Sequence, residues 1–204
     1  MNGITLQMAI MDFIPVLLYL FSMIILQMHY SDEMSHTRFA LLSAGTAMVF
    51  FGGLYKALWK ALYALNICDF VTLENSLFPL QAPGFILVFL SFLGFKEQPA
   101  SKYFALVAPV APAVYSSNLI FIIMQTLGCG GTQLLLSIRS FKNKRGFAGV
   151  MFILSFITML GMGYLSAKFD SSSTMNWIAQ CTNTASQLFL LIGSICLCIR
   201  KKGE

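Results

Sequence analysis

Two lysines one helical turn apart inside an apolar stretch are the sharpest chemical signal in this chain. Residues 52–63 read Gly-Gly-Leu-Tyr-Lys-Ala-Leu-Trp-Lys-Ala-Leu-Tyr. At about 3.6 residues per turn, Lys56 and Lys60 share one helix face, where like charges repel. A carboxylate or an anionic ligand between them relieves the repulsion. The alternative is that both ammonium groups snorkel to lipid headgroups, with Trp59 and Tyr63 in the interfacial aromatic belt. Lys60 reaches the interface easily; Lys56 lies roughly 13 Å in by helical rise and does so less easily. Asp12, near the start of the first apolar stretch, is the expected counter-charge for either lysine when no ligand is held.

A second constellation is a stripe of amides. Asn176, Gln180, Asn183 and Gln187 are spaced by four, three and four residues, so a helix presents them on one face. Turned to lipid, they would lose their hydrogen-bond partners. They therefore face protein or water, either bridging helices or lining a cavity. Each amide both donates and accepts, which suits a neutral, hydroxylated or zwitterionic ligand better than a bare ion. Gln81 lies between Pro79 and Pro83, where a kink is expected. Asn118 closes the turn-like run Tyr115-Ser116-Ser117-Asn118.

Familiar catalytic patterns are missing. The chain has no Gly-x-Ser-x-Gly, no His-Glu-x-x-His and no phosphate-binding loop. Five scattered cysteines form no disulfide framework, and Cys196 and Cys198 read as apolar filler. His29 and His36 flank one loop without a clustered carboxylate or thiol. No metal and no cofactor is expected. The catalytic alternative is a lipid-acting enzyme with Asp12 and Asp69 as an acid pair and a lysine on the lipid phosphate. A third reading is a non-catalytic assembly partner in the membrane. The basic run from Arg139 to Arg145 would then bind anionic lipid or that partner, or simply set topology.

The elements that position these residues are set by composition. Only 10% of residues are charged, 57% are hydrophobic, and mean hydropathy is +0.76 over 204 residues. Soluble domains carry about 25% charged residues, so a soluble globular fold is excluded. Disorder is excluded as well, because it needs low hydrophobicity. The net charge of +5 is concentrated beside apolar blocks, where it orients helices, and does not point to nucleic acid. No Lys or Arg precedes Arg38, so the first block is expected to be a span with its N-terminus outside, not a cleaved signal peptide.

An all-α, polytopic helical membrane protein follows, one bundle domain over 1–204. Spans are expected at about 8–28, 39–65, 78–95, 100–115, 118–138, 147–166 and 174–199. The stretch 103–138 carries no charge and would be about 54 Å long as a single helix, so it is divided at Ser117–Asn118. With seven spans and the N-terminus outside, ten Lys and Arg fall in inner loops and only Lys168 outside. Six spans with the N-terminus inside reduce that bias, so seven is the expectation, with the C-terminus inside. The fourth span is short, contains Pro109 and Pro112, and is expected to be either a crossing or a re-entrant hairpin. In the seven-span topology Asp12, Lys56, Lys60, Gln81, Asn118 and the amide stripe all fall toward the outer side. The expected function is binding or transport of a small polar or anionic molecule, or a lipid headgroup, through an outward-facing pocket of a plasma-membrane protein.

Overall fold

The computed structural model describes residues 5–93, 118–167 and 173–199. Their elements are all α-helices: α1 (Leu6–Met11), α2 (Phe13–Tyr30), α3 (His36–Ala64), α4 (Val71–Asn75), α5 (Leu77–Phe92), α6 (Asn118–Lys142), α7 (Gly146–Ala167) and α8 (Ser173–Cys198). Five stretches are long and apolar enough to cross a membrane: Leu6–Tyr30, His36–Ala64, Val71–Phe92, Ile120–Lys142 and Thr174–Cys198. Gly146–Met162 is a shorter apolar helix. The architecture is that of a multi-pass helical membrane protein. Five of the expected spans fall on the five long helices and the one at 147–166 on the shorter apolar helix; the expected span at 100–115 lies outside the described residues.

Two stripes on α2 show how the bundle meets its surroundings. Leu17, Phe21, Ile24 and Met28, at helical spacing, are exposed. Tyr19, Met23, Leu26 and Tyr30, on another face, are buried in the central core with Val88, Phe92 and Leu190. An exposed apolar stripe of this kind is at home against lipid, not water.

The long helices form a closed ring in the order α2, α3, α5, α6, α7, α8 and back to α2. Glycines set the closest approaches. A Cβ on Gly45 would meet the Gly84 carbonyl oxygen at 2.6 Å, and one on Gly128 would meet the Phe85 carbonyl carbon at 2.5 Å. Thus α3, α5 and α6 touch backbone to backbone, which only a missing side chain permits.

Arginines tie together one end of the ring. The Arg38 Nε–H donates to the Ser91 carbonyl at 2.8 Å, and Arg139 donates to the Phe92 carbonyl at 2.6 Å. Arg145 donates to the Cys196 and Ile199 carbonyls. These carbonyls sit in the last turns of α5 and α8, where no helical donor remains. The basic residues read as topology determinants therefore also cap helices. At this end lie the C-termini of α2, α5, α6 and α8 and the N-termini of α3 and α7. Consequently α5 and α6, although consecutive among the described helices, run in the same direction. Phe121 near the start of α6 packs on Ala82 and Phe78 of α5, while Arg139 near its end reaches Phe92.

A candidate ligand-binding cavity at the proline-broken end

At the opposite end two helices are interrupted, and the last residue before each interruption lies four positions before a proline. A proline ring clashes with the carbonyl of residue i−4 and offers it no N–H. Pro15 acts on Met11, where α1 stops, and Asp12 is the break. Pro79 acts on Asn75, where α4 stops, and Ser76 is the break. The expected interruption around Gln81 thus falls on the N-terminal side of Pro79, and Pro83 is accommodated inside α5.

Both breaks bring a carboxylate to α3, which lies between them. Lys60 Nζ is 2.5 Å from Asp12 Oδ2, and Lys56 Nζ is 3.4 Å from Glu74 Oε1. One helix face carries both lysines, yet each leans to a different neighbour. That resolves their repulsion without a bound anion and places neither as a free snorkelling group. Asp12 is the expected counter-charge, and it serves Lys60. Glu74 was not among the expected site residues.

Trp59 corrects the aromatic-belt expectation. It is 2% exposed, its indole N–H donates to Asp69 Oδ1 at 2.8 Å, and Lys56 Nζ lies 4.3 Å from its ring centroid. An indole placed between an ammonium and a carboxylate is a cation–π support for Lys56. Asp12 and Asp69, paired in the catalytic alternative, are engaged separately, by Lys60 and Gln180 and by Trp59.

The stripe on α8 contributes from the other side of the ring. The Gln180 amide N–H donates to Asp12 Oδ1 at 2.5 Å and to the Met8 carbonyl at 3.0 Å. Two acceptors around Nε2 fix the orientation of this amide, so its other atom is the oxygen. That oxygen, Gln180 Oε1, is buried without a donor, and so is Gln187 Oε1. The Tyr19, Tyr30 and Thr184 hydroxyls and Gln133 Oε1 are likewise buried without a partner among the described residues.

These groups surround a cavity of about 880 Å³ to which all six helices of the ring contribute. Asp12, Lys56, Lys60, Gln81, Asn176, Gln180, Asn183 and Gln187 all line it. Asn118 is the first residue of α6, and its side chain lies outside the described ones. Gln81 has its amide N–H on the Val49 carbonyl at 3.2 Å, in room left by Gly52 and Gly53. Tyr19, Phe85, Phe121 and Cys129 add apolar wall, with Tyr19 and Phe85 edge to face at 5.8 Å. Tyr19 carries no polar spacing pattern; its one sequence clue is that it falls two turns after Asp12 on the same face. Among the described residues no group of three His, Cys, Asp or Glu could hold a metal ion.

Concave sites with mainly apolar walls and a few converging polar groups are where small molecules bind. No family model, no curated protein and no solved structure matches this chain.

Proposed function

We propose that the protein binds a small polar molecule in this cavity and carries it across a bounding membrane. The observation that carries the reading is the convergence of Asp12, Lys56, Lys60, Glu74, Gln180 and Gln187 on the wall of a cavity of about 880 Å³, large enough for a metabolite. The cavity draws walls from every helix of a closed ring, as a substrate site near a transporter axis does.

Two features support a seven-span topology with the cavity open outward. The first is the bias of Lys and Arg toward the opposite side. The second is that α5 and α6 run the same way, so the chain between them starts at the arginine end and finishes at the cavity end. An additional crossing meets that requirement, and a hairpin returning to its own side does not. Each half then contains three helices in the same alternation of direction, α2–α3–α5 and α6–α7–α8. Parallel repeats about an axis along the membrane normal are a known transporter plan.

The test is a thermal-stability screen of purified protein against amino acids, carboxylates, phosphates and hydroxylated neutral molecules. Specific stabilisation by at least one of them is expected. It is expected to disappear in Ala179→Trp, which puts an indole into the cavity from α8, while unliganded stability is retained. A wild-type protein stabilised by none of the set, or an Ala179→Trp protein stabilised as well as wild type, would refute the proposal.

A further inference from the structure

Resting on the proposed binding role, we infer that the ligand is a zwitterion carrying an N–H-bearing ammonium and a carboxylate, as an amino acid does. Among the described residues, the charged groups of the cavity wall are Asp12, Lys56, Lys60 and Glu74, and their charges sum to zero. Both lysines are already neutralised, Lys60 by Asp12 at 2.5 Å and Lys56 by Glu74 at 3.4 Å. An anion that took Lys60 would strand Asp12, and one that took Lys56 would strand Glu74. Leaving one member of a buried pair without its partner is strongly unfavourable. A cation meets the converse obstacle at the lysines. A zwitterion exchanges partner for partner: its carboxylate receives Lys60, and its ammonium replaces Lys60 beside Asp12.

The amides identify which end of the ligand goes where. Gln180 is 8% exposed, and its orientation is fixed because Nε2 already serves Asp12 and the Met8 carbonyl. What this residue lacks is a donor for Oε1. A carboxylate or a fully ionised phosphate has none to give. An ammonium does, and Asp12, the anion best placed to hold it, is the group that Gln180 already touches. A quaternary ammonium has positive charge but no N–H, so it satisfies Asp12 and leaves Gln180 Oε1 as it was. A neutral polyol would satisfy the amides but gains nothing from the ion pairs.

The experiment is a matched series on wild-type protein in detergent or nanodiscs, read as a shift in Tm and as displacement of a radiolabelled amino acid. The probes are the standard L-amino acids, the carboxylic acids that lack only their amino group, the amines that lack only their carboxylate, the N-trimethylated betaines, and hydroxylated neutral molecules. At least one amino acid is expected to raise Tm and bind at least tenfold more tightly than each of its three counterparts. Asp12→Asn and Lys60→Met are each expected to abolish the preference. The wild-type series decides alone if either variant fails to fold. Tighter binding by a carboxylate, an amine, a betaine or a hydroxylated neutral molecule overturns the zwitterion assignment while leaving the cavity a binding site. Binding by none of these classes overturns both.

Discussion

Asp12 and Gln180 are separated by 168 positions, and their side chains meet at 2.5 Å. The contact closes the ring of helices where its first and last members adjoin. Asp12 occupies the break made by Pro15, and its second oxygen holds Lys60 at 2.5 Å. One carboxylate thus joins α2, α3 and α8 on the wall of the cavity.

Asp12→Asn removes the charge that holds Lys60 and weakens the bond from Gln180. A charge-assisted hydrogen bond contributes about 1.5–3 kcal/mol, so a loss of that order is expected in reversible unfolding from mixed micelles. In a double-mutant cycle with Asp12→Leu and Lys60→Leu, a coupling of at least about 0.5 kcal/mol is expected. Strictly additive losses would mean that the two groups do not depend on each other.

Gly128 and Gly161 lie on adjacent helices in unlike surroundings. A Cβ at Gly128 meets Phe85 backbone at 2.5 Å, whereas one at Gly161 has only Thr182 Cγ2, at 3.8 Å. Gly128→Ala must push α6 away from α5 and is expected to cost about 1–3 kcal/mol. Gly161→Ala is expected to be neutral or to stabilise by up to about 1 kcal/mol through helix propensity. Equal effects at the two positions would contradict the close packing of α5 on α6.

Arg139 and Lys142 carry the same charge in the same basic run. Arg139 donates to the Phe92 carbonyl, and its guanidinium carbon lies 5.6 Å from the Tyr30 ring and 5.5 Å from that of Phe92. Lys142 is exposed. Arg139→Gln is expected to lose about 1.5–3 kcal/mol of stability, and Lys142→Gln to change it by less than about 0.5 kcal/mol. If the two behave alike, Arg139 is a topology signal and not a cap on α5.

What was legible in the sequence was what one helix decides by itself. Periodicity placed Lys56 and Lys60 on one face and Gln180 and Gln187 on one stripe, and eight of the nine expected residues line one cavity. Choices between helices were not legible. Spacing does not say that Lys56 leans toward Glu74 and Lys60 toward Asp12, because that depends on where Pro15 and Pro79 interrupt their helices. Trp59 looks the same in sequence whether it faces headgroups or Asp69. The glycines announce close approach, but whether α5 or another helix comes near is a property of the assembled ring.

The direction of α6 gives the topology its strictest test. Since α5 and α6 both run from the cavity end to the arginine end, residues on the two sides of the connection between them should face opposite compartments. Single cysteines at positions 36, 70, 98, 117, 142 and 172, in a chain whose five native cysteines are replaced by alanine, report this through a membrane-impermeant thiol reagent. Phe70→Cys, Ser117→Cys and Ser172→Cys are expected to react from outside. His36→Cys, Gln98→Cys and Lys142→Cys are expected to react only once the inner face is opened. Positions 98 and 117 are 19 residues apart, enough for about 28 Å of helix, close to the hydrocarbon thickness of about 30 Å. Labelling of both from one side would remove the seventh crossing, and labelling of 70 and 142 from one side would disprove the common outer face of the cavity residues.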